Sequence, residues 1–256
     1  MKSAVGRFRR HRIDPGKPAD RFPLCWRAAA RGAQQACEEP VGGGSIEPLL
    51  TVDTGVANGR YKEEQFEERL AEMPTSISIT QAARVLRTAK RVLVIGCSGG
   101  GKSTLSLKIA GRFDLEYLSY DRDVRWLPGW QVRDRDEQRL IVADLVRRDR
   151  WVMDGTTVST FDLRLPRADL LIWVRVPRRV ALSGVARRVL ASYGRVRIDM
   201  AEGCPEQLPD LAFLTYIWTF ETRVAPRIAS GIDRFGPNVP VVTLTARGEF
   251  AALLDG

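Results

Sequence analysis

Apolar positions form short β-branched runs that alternate with stretches at helical spacing, and this pattern begins only near residue 76. Residues 77–89 predict a short helix or lead-in. Arg91-Val92-Leu93-Val94-Ile95 predicts a buried first strand, and 104–110 a helix with one apolar side. A second strand is expected over 115–120, ending at Asp121, then a turn at Trp126-Leu127-Pro128-Gly129-Trp130 and an amphipathic helix over 134–148. Trp151-Val152-Met153 reads as a third strand closing on Asp154-Gly155, and 169–176 as a fourth, stopped by Pro177. An arginine-rich helix over 178–191 leads into a polar segment, 192–209. A long aromatic helix over 211–228, a fifth strand over 239–244 and a closing helix over 248–254 complete the series. Strands alternating with helices predict a doubly wound α/β fold with a parallel five-stranded sheet. No internal repeat is apparent.

Residues 1–72 depart from this pattern. Up to Arg31, Lys2, Arg7, Arg9, Arg10, Arg12, Lys17, Arg21, Arg27 and Arg31 face only Asp14 and Asp20, and Gly42-Gly43-Gly44-Ser45 then interrupts any regular element. The segment reads as a mostly disordered, solvated extension. A nucleic-acid-binding arm is the competing reading, and Met73 is an alternative start for a domain over 73–256. No apolar run reaches the roughly 20 residues of a membrane helix, and no secretory signal is evident. Cys25, Cys37, Cys97 and Cys204 are scattered, which fits free thiols in a reducing cytoplasm.

The sole histidine, His11, lies in the basic extension. Chemistry in the main domain therefore falls to Lys, Arg, carboxylates, hydroxyls and an oxygen-held metal, the kit of phosphoryl transfer. A net charge of +9 suits polyanionic ligands, nucleotides as readily as nucleic acid. Between the first strand and its helix, Gly96-Cys97-Ser98-Gly99-Gly100-Gly101-Lys102-Ser103 completes the phosphate loop G-x-x-x-x-G-K-S/T. Amides from Gly96 through Ser98, Gly99, Gly100, Gly101, Lys102, Ser103 and Thr104 would wrap the phosphates of ATP. Lys102 would reach the β- and γ-phosphates, and Ser103 would give its hydroxyl to Mg²⁺. The bland alternative, a glycine-rich turn that binds nothing, leaves the lysine and hydroxyl in register without a role.

Ligands of open parallel sheets gather at the carboxyl ends of the strands. Asp154 ends one there and suits Mg²⁺, with an Asx-type turn as the competing reading. Asp121, with Gly155 nearby, would orient an acceptor, and Arg164 would hold it. Asp169 begins its strand, at the opposite edge, and is left out. Arg187, Arg188, Arg195 and Arg197 bracket Tyr193-Gly194, so 187–209 reads as a lid whose arginines stabilise transferring charge. Trp126, Trp130, Trp218 and Phe220 read as core packing before base stacking, and Cys97 as a small filler. Arg175, inside an apolar strand, requires a partner.

The ordered series of phosphate loop, Asp121 to Trp130, Trp151-Val152-Met153-Asp154-Gly155, Arg164-Leu165-Pro166-Arg167-Ala168-Asp169 and Gly203-Cys204-Pro205-Glu206 resembles the adenylate-kinase-like P-loop proteins called DNA topology modulation, or FlaR-like, proteins in bacteria. The resemblance covers about 91–254. It implies strand order 2-3-1-4-5 and a place for Asp154-Gly155 near Mg²⁺ and the acceptor. Such relatives often carry an acidic residue late in the fourth strand, where this chain has Arg175, which leaves Asp154 as the favoured carboxylate. The expectation is ATP-dependent phosphotransfer to a nucleotide, nucleoside or other small acceptor. The competing expectation is an ATP-binding regulatory or DNA-associated protein. A GTPase is disfavoured, since no N-K-x-D-like motif is present.

Overall fold

The structure, a computed structural model, describes residues 75–256. The expectations for 1–72, and Met73 as a start, lie outside the described residues. Five parallel strands form the main sheet: β1 (Arg91–Gly96), β2 (Glu116–Ser119), β5 (Trp151–Asp154), β6 (Leu170–Val174) and β7 (Val241–Leu244). They lie in the order β2-β5-β1-β6-β7, which over these five strands in chain order is 2-3-1-4-5. The central strands β1 and β6 are apolar almost throughout because both of their faces are covered; Val92, Leu93, Val94, Ile95 and all of β6 are buried.

Helices flank the sheet. α1 (Ile79–Leu86) opens with a capping box in which Ser78 accepts from the Gln81 amide, and it packs on β7 and on the closing helix α8 (Glu249–Asp255). α2 (Lys102–Phe113) packs on β1, β2 and β5. α3 (Arg135–Leu145) is capped by Asp134, whose carboxylate accepts from the Asp136 and Glu137 amides. α4 (Phe161–Arg164) is a single turn with no advance signal, and α5 (Arg178–Ser192) is the arginine-rich helix.

Three local departures have clear causes. The expected helix over 211–228 is two, α6 (Leu211–Arg223) and α7 (Ala225–Phe235). Pro226 has no N–H to continue the ladder and sits in the first turn of the second helix. The turn at 126–130 is the tip of a small hairpin, β3 (Trp126–Leu127) with β4 (Gln131–Val132). Strand β2 stops at Ser119, and the chain winds into a π-type turn, Tyr120–Arg125, closed by the Trp126 N–H donating to the Asp121 carbonyl.

Register sets the position of the site. Val94 pairs with Asp154, Asp154 with Ser119, and Gly96 with Val174. The carboxyl ends of four strands therefore share one edge. At the other edge the Asp169 carboxylate accepts from the Lys90 and Arg91 amides at 2.8 and 2.9 Å, which ties the start of β1 and keeps this residue out of the site. Arg175 has its partner, donating to the Glu221 carboxylate on α6 at 2.6 Å and lying against the Trp173 ring. No helix among the described residues is long and apolar enough to cross a membrane.

Candidate phosphate-binding and acceptor site

The loop after β1 turns through left-handed backbone at Gly99 and Gly101, φ 77° and 103°. At Gly99 a Cβ would lie 2.2 Å from the Ala181 carbonyl oxygen, so only glycine admits helix α5 this close. Gly101 is the N-cap of α2 and offers no side chain, so the first amides of the helix have no capping group. Thr156 fastens the loop from behind: its hydroxyl donates to the Gly96 carbonyl at 2.7 Å and accepts from the Gly96 N–H at 2.9 Å. Lys102 Nζ donates to the Cys97 carbonyl at 3.0 Å, a contact it can exchange for phosphate oxygen. Burial pushes the Cys97 thiol up to about 12, so the side chain is a protonated filler at neutral pH.

Asp154 is buried beneath this loop. Its carboxylate accepts from the Tyr117 hydroxyl at 3.1 Å and is hydrogen-bonded to Ser103. Burial pushes its pKa up to about 6, against the Ser103 hydrogen bond and the Lys102 charge, while Asp121 and Asp199 add to the rise. No cluster of three or more acidic, histidine or cysteine side chains suited to a metal occurs among the described residues, so a cation here would rest on the Asp154 carboxylate and the helix-start hydroxyl. Mg²⁺ takes one or two protein oxygens and completes its shell with water and phosphate, and Ser103 with Asp154 fits that donor set.

Above the loop lies a cleft of ≈ 640 Å³ reached by Ser98, Gly99, Gly101, Lys102, Ser103 and Thr104 on one side. The expected lid borders its other side, contributing Arg187, Arg188, Arg195 and Arg197. A backbone pair closes the lid on itself: the Gly194 N–H donates to the Glu206 carbonyl, and the Glu206 N–H to the Arg195 carbonyl, each at 2.9 Å. The buried Glu206 carboxylate takes Arg188 at 2.9 Å and Arg197 at 3.1 Å, and Arg197 also lies 3.4 Å from Asp199. Burial, and then the neighbouring Arg197, lower the Arg188 pKa. Arg187 and Arg195 are exposed and have no ion-pair partner among the described residues.

A second hollow, ≈ 130 Å³, adjoins the cleft, and Ser98, Lys102, Asp121 and Gly155 line both spaces. Asp121 stands in the π-type turn beyond the strand end, exposed. Its neighbour Asp123 is occupied, accepting from the Ser119 N–H at 2.8 Å and pairing with Arg122 at 2.7 Å.

Arg164 is a correction. It was expected to hold the acceptor, but it is wholly buried, with its guanidinium donating to the Gly155 carbonyl at 2.7 Å and to the Thr157 carbonyl. It lies between the Tyr120 and Phe161 rings, and burial pushes its pKa down to about 10. Each terminal nitrogen is held by a main-chain carbonyl, while Nε has no hydrogen-bond partner among the described residues, so the side chain shapes the loop after β5.

Sequence reasoning missed three groups. Arg247, after β7, donates to the Gly99 carbonyl at 2.6 Å and borders the cleft; nothing local to it signals this. Arg125 lines the hollow, and its place at the end of the π-type turn has no sequence signature. Trp126 and Trp130 were assigned to packing; they are buried, and they also wall the hollow with Phe213 and Tyr216.

No family model matches the chain. An uncharacterized protein, YqaC of Bacillus subtilis (strain 168), is 27% identical over 107 residues, 41% of this chain and 60% of that protein. The bifunctional shikimate kinase/3-dehydroquinate synthase of Thermotoga maritima is 27% identical over 123 residues, 42% of this chain and 25% of that protein. The chain therefore spans less than two thirds of the length of each of these relatives. Among solved structures, shikimate kinase from Acinetobacter baumannii in complex with shikimate gives a TM-score of 0.43 at 15% identity, over 68% of this chain and 93% of that one. Shikimate kinase from Bacteroides thetaiotaomicron gives 0.40 at 14%, over 65% and 95%. Deoxyadenosine kinase from M. mycoides with bound dATP gives 0.37 at 12%, over 64% and 95%. Likeness this distant leaves activity to be argued from the site itself.

Proposed function

We propose that this protein is an ATP- and Mg²⁺-dependent kinase that transfers the γ-phosphoryl group to a small acceptor, a nucleotide, a nucleoside or another hydroxylated molecule. The observation that supports it most is the convergence of glycine loop, Lys102, Ser103 and buried Asp154 at one sheet edge, with an adjoining hollow of the size of a small acceptor. A loop built only to bind ATP has no need of the second space.

In this reading the amides of Gly99 to Thr104 hold the phosphate chain, and Lys102 exchanges the Cys97 carbonyl for the β- and γ-phosphates. Ser103 and Asp154 are the residues that would hold Mg²⁺, which would supply charge neutralisation to the phosphates. Asp121 orients the acceptor hydroxyl. Its oxygen bonds to the γ-phosphorus as the bond from phosphorus to the β-bridging oxygen breaks, ADP leaves, and the hydroxyl proton passes to Asp121. Arg187 and Arg195 spread over the transferring oxygens and exclude water.

Titration calorimetry of the purified chain with ATP, with and without magnesium, tests the first half; absence of uptake in both defeats the proposal. A panel of nucleosides, nucleotides and hydroxylated acids followed for ATP-dependent mass gain tests the second. The basic balance of +9 supports one other reading, an ATP-binding protein that associates with DNA. It requires duplex affinity that falls steeply with salt and no phosphoryl transfer to any acceptor.

A further inference from the structure

Arg125 is 7% exposed, and its guanidinium makes no hydrogen bond and no ion pair among the described residues. The other buried arginines all find oxygen: Arg164 at the Gly155 and Thr157 carbonyls, and Arg175 at Glu221. Arg125 has only the face of Trp126, 5.0 Å from guanidinium carbon to ring centroid. A ring face attracts the cation and leaves its in-plane N–H donors without acceptors. Arg125 lines the hollow, so an anion seated there could accept from those donors.

The space it lines shows what that anion would belong to. Trp126 and Trp130 meet edge to face at 5.4 Å, and Phe213 and Tyr216 continue the wall, so the hollow favours a ring or a flat chain. Its ≈ 130 Å³ suits a single ring with its substituents and is small beside the roughly 300–1,000 Å³ of larger ligand pockets. Arg188 and Arg197 also border it, but Glu206 already engages both. The π-type turn brings a second group to the same lining: Asp121, exposed and unpaired among the described residues, lies four residues before Arg125 on the same wide turn, towards Lys102.

We propose that the hollow takes a small hydroxylated acid, a carboxylate or a phosphate monoester on one ring or short chain, with Arg125 as the receptor for its charge and Asp121 at its hydroxyl. This rests on the kinase reading and narrows it away from nucleotide acceptors. Arg125 is a specificity residue; it touches the far end of the acceptor, remote from the transferred group.

The test uses the full chain and its intrinsic tryptophan fluorescence, to which Trp126 and Trp130, two of six tryptophans, contribute from the wall of the hollow. The probes are 3-hydroxybenzoate, 3-hydroxyphenyl phosphate, neutral 3-hydroxybenzamide and AMP, each titrated with Mg·ADP present, and Mg·ADP affinity is measured separately by calorimetry. One or both monocyclic anions should bind about tenfold or more tighter than the benzamide, the ranking of carboxylate against phosphate identifying the source of the charge. Arg125→Met should abolish that gap and leave Mg·ADP affinity unchanged. Arg125→Lys, which keeps the charge and loses the fork, should retain part of it, and it carries the test if the methionine variant does not fold. Equal binding of anions and benzamide, a gap that survives Arg125→Met, or binding of AMP in place of the monocycles overturns the proposal. So does failure of every probe while Mg·ADP still binds. Failure of wild-type protein to bind Mg·ADP defeats the kinase reading instead.

Discussion

Asp154→Asn tests the buried carboxylate at the centre of the site, and its sign is opposite to that of most core substitutions. The side chain is 4% exposed and its pKa stands near 6 against 3.8 for the free group, chiefly because burial penalises the ionised form. A shift of about two units corresponds to roughly 3 kcal/mol of native-state cost once the group is ionised. Because the folded pKa lies above the unfolded one, the native state holds its proton longer. The contribution to stability is complete below about pH 4, declines as pH rises through 6, and is absent above. Asparagine has no charge to desolvate, and its carbonyl can still accept from Tyr117. Its amide needs a partner of its own, which reduces the expected gain to about 1–3 kcal/mol at pH 8. Thermal melts of both proteins in a chelator, at pH 4 and pH 8, give the readout as a difference, in which all other titrating groups cancel. The variant should melt several degrees higher at pH 8 and show little or no advantage at pH 4. The same variant should lose most of the extra stabilisation that magnesium adds to ATP. Equal melting differences at both pH values would refute the reasoning, because the carboxylate would then carry no burial cost for a cation to relieve.

Lys102→Ala removes a side chain whose sole hydrogen bond among the described residues is to the Cys97 carbonyl, so the melting temperature should hold while phosphoryl transfer falls by about 10²–10³ or more. Unchanged transfer in a mass-detected assay would count against the site. Arg164→Met strands the Gly155 and Thr157 carbonyls, and denaturant titration should show a loss of about 2 kcal/mol or more. Its kinetic effect should fall on kcat and ATP together; a change confined to acceptor KM would restore the role first expected of it. Glu206→Gln leaves Arg188 and Arg197 without their shared carboxylate, so amide exchange across 193–206 should accelerate by tenfold or more, about 1.4 kcal/mol. Protection equal to wild type would mean that the ion pairs do not hold the lid.

The places of the glycine loop after β1 and of Asp154 at the end of β5 were readable because their signals are local: a motif of fixed spacing in one case, an apolar run ending in Asp-Gly in the other. Arg175 was readable as a question, and Glu221, distant in sequence, answered it. Arg164 was misplaced because sequence position puts it after the right loop but cannot say which side of the loop its side chain takes. Only the packing of Tyr120 and Phe161 around it decides that. Arg125 and Arg247 were missed for a related reason. Each reaches its cavity through a turn whose geometry no short pattern encodes, a π-type turn for one and the loop after β7 for the other.

The arginine-rich segment illustrates how charge can be abundant in sequence and selective in space. Four arginines of this segment border the cleft, with Arg247 a fifth from beyond β7, yet buried Glu206 draws Arg188 and Arg197 to itself and closes 193–206 by its own main chain. Such a buried trio contributes little net stability, since desolvation offsets attraction, but it fixes one arrangement of the loop against others. Arg187 and Arg195 are left on the cleft without partners among the described residues. One pair of arginines therefore supplies geometry and the other supplies uncommitted charge. With all four free the segment would repel itself, and with all four paired it would bring no uncommitted charge to the cleft.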